Sequence, residues 1–204
     1  ALIVMLYTLI GGFWAVSLTD TLQGILMAIT AVLLPLTALV EIGGLSAFFE
    51  ALRKASTPEQ GSFTAANTGL YAIGAVLGSI AIGIGTFGQP HLLIRFMALR
   101  DEKALRQARL IATAWYILVF VGMLFVGLAG RILYSDVGNP ETIFFVMTEH
   151  LFSPVLGAIL LAAVLSAIMS TADSQLLVAA GVIAYDLGLG GHGTNRLLLA
   201  SRLS

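Results

Sequence analysis

Late in the chain, hydroxyls and a carboxylate crowd into an otherwise apolar stretch. Residues 165–178 read LSAIMSTADSQLLV, so that Ser166, Ser170, Thr171, Asp173, Ser174 and Gln175 follow a long apolar run. In a helix the carbonyl of Ala167, three and four residues earlier, points toward the Ser170 and Thr171 side chains. Two hydroxyl oxygens and one loosened carbonyl are hard ligands on one helix edge. They suit a weakly held alkali cation whose shell is completed by oxygens from another helix. The competing reading is local: Ser and Thr often bond back to the carbonyl four residues before, and small residues pack helix interfaces. Asp173 is harder to set aside, because an ionisable residue in an apolar span is a functional candidate by default. It lies roughly 30 Å along a helix from Pro154, near a span end where water reaches it. A structural or gating role therefore fits Asp173 better than direct ligation. Asp20 and Glu41 also fall near span ends and are open to the same solvated reading.

A second cluster is made by backbone rather than side chains. Gly83, Gly85, Gly88 and Pro90 fall within eight residues. Such a run weakens a helix, since proline removes a backbone bond and clashes with the preceding turn. Backbone freed at membrane depth must be buried in protein or line a wet cavity, and secondary transporters use broken helices to present it to substrate and ions. Gln89 adds donors and an acceptor at this point. The alternative is a kink with no ligand. His91 reads as a hydrogen-bonded structural residue before a proton carrier, and Gly74 with Gly78 as a plain packing pair.

The elements that carry these clusters follow from composition. Of 204 residues, 58% are apolar, and the 22 glycines bring this to about 69%, against 45–50% in soluble domains. Charged residues are 10%, far below the usual 25%. The alternation of a porin-type barrel is missing, so the chain reads as an all-α membrane protein. A helix of about 20 apolar residues crosses a bilayer. About five transmembrane helices are expected, at roughly 1–16, 21–45, 67–97 with a break near 83–90, 105–133 and 153–185, in a single domain 1–204. Ser17 to Asp20 reads as a tight polar turn, 46–66 as a polar loop, 98–109 as a short charged connection, and 134–152 as a loop with a short helical stretch from Thr142. Alternate connections hold seven Lys/Arg (Arg95, Arg100, Lys103, Arg106, Arg109, Arg196, Arg202) against three (Arg53, Lys54, Arg131). The seven-residue side should face the cytoplasm. A net charge of −1 gives no case for nucleic acid, and the absence of cysteine excludes thiolate metal sites and disulfides. The chain begins and ends inside apolar runs, which reads as an internal piece of a longer polypeptide, the rest of which is missing here.

Three blocks together give a family resemblance: YTLIGGFWAVSLTDTLQGILM (Tyr7 to Met27), GTFGQPHLLIRFMA (Gly85 to Ala98) and LSAIMSTADSQLLV (Leu165 to Val178). In this order and spacing the chain resembles the sodium:solute symporter family, and within it the sodium/proline symporters, over essentially its whole length. The resemblance implies an inverted-repeat, five-plus-five helix fold in the cell membrane, in which co-transported sodium drives uptake of a small organic solute. It implies that Ala167 offers its carbonyl and Ser170 and Thr171 their hydroxyls to sodium. It places Asp20 near the inner mouth of the sodium path and Gln89 and Pro90 at the substrate-side break. Family members that carry proline have Trp and Tyr at the positions of Ile82 and Thr86, so a substrate-facing pair of rings is replaced here. The family helix that supplies sodium's remaining carbonyls lies outside this chain. The solute expected is proline or a related amino acid; the alternatives are another solute such as pantothenate or a carboxylate, or a sensor built on the same fold. An intramembrane aspartyl protease is disfavoured, because Asp173 and Asp186 lie 13 residues apart in one segment, about 20 Å if helical, and cannot share one water. The protein reads as no enzyme.

Overall fold

A computed structural model describes residues 2–56, 64, 67–134 and 137–182. Among them every regular element is helical: α1 (Leu2–Ile42), α2 (Leu45–Ala55), α3 (Gly69–Phe87), α4 (Pro90–Met97), α5 (Glu102–Leu133), α6 (Ile143–Leu151), preceded by a 3-10 turn at Pro140–Thr142, and α7 (Pro154–Gly181). Among the described residues four helical stretches, rather than the five expected, are long and apolar enough to cross a membrane: Gly11–Ile42, Gly69–Thr86, Glu102–Leu133 and Pro154–Ala179. The expected end of the last span near 185, and Asp186, Arg196 and Arg202, lie outside the described residues.

The turn expected at Ser17 to Asp20 is helix, and the interruption falls at Gly12 instead. Gly12 takes φ 53° and ψ −150° inside α1, a left-handed conformation that glycine adopts without steric cost. The polar residues that suggested a turn do not end the helix because their hydroxyls are absorbed by it. Ser17 donates to the Phe13 carbonyl at 2.8 Å, Thr19 to Val16 at 2.9 Å and Thr21 to Ser17 at 2.8 Å, the back-bonding that hydroxyl side chains make inside helices. The stretch read as a polar loop after residue 45 begins as α2. Its Phe48 is buried against the Phe125 ring, with centroids 5.4 Å apart. Glu50 and Lys54 pair at 2.7 Å on its solvent side.

α1 is the central helix and packs on both α5 and α7. At one end, Leu34 and Ala38 of α1, Phe48 of α2, Val126 and Ala129 of α5 and Met147 of α6 form a buried apolar cluster. Arg131 donates to the Ala55 carbonyl at 2.8 Å at this same end. Toward the other end, Trp115 of α5 donates to the Gly24 carbonyl at 3.1 Å. Between them the backbones of α1 and α5 meet at Gly122, where a Cβ would collide with the Ala31 carbonyl. That carbonyl lacks its ordinary helical donor, because the residue four positions on is Pro35. The hydrogen-only face of Gly122 lets α5 cover it. α3 stands apart: no residue of its apolar stretch is buried, and a Cβ added at Gly74 or Gly78 would meet no neighbour within 4 Å among the described residues.

Gly122→Ala should therefore lower the apparent melting temperature of the detergent-solubilised full-length protein by several degrees, the effect of about 1–3 kcal/mol of overpacking. Gly74→Ala, in open space, should leave it unchanged or raise it slightly.

Candidate functional site

The polar groups of the bundle converge where α1, α4 and α7 meet. On α7, Ser166, Ser170, Asp173 and Ser174 recur at helical spacing. Asp173 is completely buried, and Ser166 and Ser174 nearly so. Asp173 is thus not reached by water, contrary to the expectation from its place near the span end. Asp20 of α1 is not solvated either: only 7% of its side chain is exposed, and its Oδ2 pairs with Nη2 of Arg95 in the last turn of α4. The same Arg95 nitrogen donates to Ser174 Oγ at 2.5 Å. Ser174 in turn donates to the Ser170 carbonyl at 2.8 Å. One guanidinium, 41% exposed, thereby joins three helices.

α1 brings further polar atoms inward. Asp20 Oδ1, Gln23 Oε1 and Thr30 Oγ1 are buried with no hydrogen-bond partner among the described residues. Asp20 and Gln23 are three residues apart, so both acceptors lie on one face of α1. An unsatisfied buried acceptor is costly in an apolar bundle, and acceptors of this kind favour a cation or water.

The expected cation ligands sit on the adjoining edge of α7. Thr171 Oγ1 donates to the Ala167 carbonyl at 2.9 Å, so the two oxygens lie side by side, with Ala167 and Ser170 half-buried and Thr171 exposed. This is the back-bonded arrangement; the hydroxyl must rotate its proton away before both oxygens can face a cation. Among the described residues no three His, Cys, Asp or Glu side chains cluster, whereas neutral carbonyl and hydroxyl oxygens are the ligands that replace an alkali ion's hydration shell.

The expected substrate residues lie elsewhere. α3 runs unbroken through Gly83 and Gly85 to Phe87, and the interruption is confined to Gly88 and Gln89. Two isolated glycines lower helix stability without ending the helix; proline ends it, by displacing the turn before itself. Gln89 and Pro90 are exposed, and the Gln89 carbonyl accepts from the Leu92 and Leu93 amides to start α4. Ile82 is 77% exposed. Thr86, one turn on, donates to the Ile82 carbonyl at 3.0 Å. No hydrogen bond among the described residues joins Ile82, Thr86, Gln89 or Pro90 to Ala167, Ser170 or Thr171. The link between the break and α7 is Arg95, five residues past Pro90.

Arg95 is the residue that sequence reasoning passed over. It counted only toward loop charge, yet it sits in the apolar run HLLIRFMAL. A lone arginine in such a run needs a carboxylate partner, and the structure supplies Asp20. Buried Gln23 and Thr30 carried no comparable signal, since each is also ordinary on a helix surface.

The model of the sodium:solute symporter family matches residues 1–190. Sodium/proline symporter 2 of Staphylococcus saprophyticus is 39% identical over 193 residues, 91% of this chain and 36% of that protein. The osmoregulated proline transporter OpuE of Bacillus subtilis is 39% identical over 190 residues, 91% of this chain and 37% of that protein. A sodium/proline symporter of Staphylococcus aureus is 37% identical over 193 residues, with 91% and 36% covered. The chain thus spans little more than a third of the length of these relatives. No solved structure matches it.

The ion pair predicts a measurable coupling. Asp20→Asn and Arg95→Gln should each lower the apparent melting temperature, and the double variant should fall short of their sum by about 1 kcal/mol, modest because Arg95 is partly exposed. Additive effects would contradict the pair.

Proposed function

From the premise that this chain belongs to the sodium:solute symporter family and forms part of a multi-pass membrane protein, we propose that the whole protein couples sodium entry to uptake of a small organic solute across the cytoplasmic membrane. The observation that carries this reading is the oxygen edge of α7: the Ala167 carbonyl and the Thr171 hydroxyl lie 2.9 Å apart, with Ser170 beside them and a buried polar stripe behind. Sodium binds there between α7 and a helix of the whole protein outside these 204 residues. The solute binds at the Gly88–Gln89 interruption, facing Ile82 and Thr86. The lysine and arginine bias turns the end holding Arg95 to Arg109 toward the cytoplasm, so sodium leaves past Asp20 and Asp173. Coupling requires that sodium and solute each favour one conformation over the other. The two-residue hinge between α3 and α4 allows such a change without unfolding either helix.

Proline is the first solute this reading names, because the relatives just described are proline transporters by name. A different solute, such as pantothenate or another carboxylate, is favoured by one observation: Ile82 and Thr86 stand where a pair of aromatic rings would grip a pyrrolidine. Neither offers a face for stacking.

Radiolabelled uptake into proteoliposomes holding the full-length protein tests both levels. An inward sodium gradient should drive accumulation of proline, or of one member of a panel of amino acids, pantothenate and short carboxylates. Ser170→Ala and Thr171→Ala should each raise the sodium concentration for half-maximal uptake about tenfold, the scale of losing one group that supports a bound metal ion. Unchanged sodium dependence in both variants would remove the site. Sodium-driven uptake of a panel member other than proline would keep the site and change the solute.

A further inference from the structure

The buried carboxylate of Asp20 has a cation beside it that is part of the chain. Its Oδ2 is held by Arg95, and its Oδ1 is buried with no hydrogen-bond partner among the described residues. A carboxylate withdrawn from water to this extent is strongly disfavoured unless a positive charge stands next to it. Two cations can meet that need in a sodium symporter: the guanidinium, or the transported ion. Ser174 places the two in series. It accepts from Arg95 at 2.5 Å and donates to the carbonyl of Ser170 at 2.8 Å, so the guanidinium ends one hydroxyl away from the helical turn that carries the proposed sodium ligands.

We infer that Arg95 is a tethered counter-cation that alternates with sodium at Asp20 and so helps to drive sodium off its site toward the cytoplasm. This rests on the sodium-symport reading above. With sodium moving inward, Asp20 exchanges Arg95 for the ion. Arg95, already 41% exposed, swings into water at little cost, and α4 loses both of its anchors on α1 and α7. Pro90 starts α4 just past the Gly88–Gln89 hinge, so this eight-residue helix can tilt without carrying α3 with it. When the ion has left, Arg95 returns to Asp20 and Ser174 and draws α4 back. The arginine is a positioning residue: it touches neither sodium nor solute, but it competes with sodium for one carboxylate.

The competition has a sign that a merely structural arginine lacks. Removing the tethered charge should make sodium bind more tightly, not less. Equilibrium binding of radioactive sodium to the purified full-length protein is the readout. Arg95→Gln should lower the half-saturating sodium concentration about fivefold, Arg95→Lys should stay near the wild type, and Asp20→Asn should raise it. Arg100→Gln, which removes a charge at the same end that is 92% exposed, should change nothing and controls for a general field effect. If Arg95→Gln does not fold, Ser174→Ala, which removes one anchor and keeps the charge, should shift binding about twofold in the same direction. Unchanged or weaker sodium binding in Arg95→Gln, or no shift in Ser174→Ala where that variant must stand in, would overturn the inference while leaving sodium symport intact. If the wild type bound no sodium, the symport reading itself would fall.

Discussion

A carboxylate inside an apolar bundle must keep a cation, and that requirement organises one whole end of this structure. Asp20 lies on α1, its partner Arg95 on α4 and the shared hydroxyl of Ser174 on α7. Without a charge to hold it there, α4 would be an eight-residue amphipathic helix with little to pack on. The opposite end is organised differently. There Leu34, Ala38, Phe48, Val126, Ala129 and Met147 close an apolar cluster, and α1 meets α5 at the bare face of Gly122. Dispersion is short-ranged and degrades with any shift in fit. A partly exposed ion pair can be opened and remade with water as the intermediate partner. On the inference drawn above, the end held by packing is the fixed end and the end held by charge is the one that moves.

This asymmetry gives the α7 hydroxyl edge its setting. Ala167, Ser170 and Thr171 lie on the stretch of α7 whose buried residues are Ser166, Asp173 and Ser174, past the buried apolar Leu160 and Ala163. The Ala167 carbonyl and Thr171 hydroxyl bond to each other at 2.9 Å, so these two oxygens satisfy one another. At the proposed sodium site an entering cation has to turn that hydroxyl. Weak binding there would suit the proposed release of the ion in every cycle.

Much of this was legible in the sequence, and the failures have particular causes. Helicity and membrane character followed from composition alone. The four-residue spacing of Ala167 and Thr171 dictated their bond. The polarity of Ser17 to Asp20 makes no turn, because hydroxyls that bond back to the helix do not break it; the interruption inside α1 takes a positive φ, at Gly12. The break expected across 83–90 narrowed to Gly88 and Gln89, since glycine weakens a helix where proline ends one. Residues after 45 joined the fold as α2 because Phe48 had a ring to pack on, a long-range fact that no local pattern contains. Asp20 and Asp173 were read as near water because distance along a helix says nothing about what packs beside it. Arg95 is legible as the lone charge in the apolar run HLLIRFMAL.

The central claim is that α7 presents oxygens to sodium beside a carboxylate kept by Arg95. A high-resolution structure of the full-length protein in sodium tests it most directly. The account predicts ion density bounded by the Ala167 carbonyl and the Ser170 and Thr171 hydroxyls, on the protein-facing side of α7. Those hydroxyls turned into lipid, with no ion between α7 and its neighbours, would contradict it.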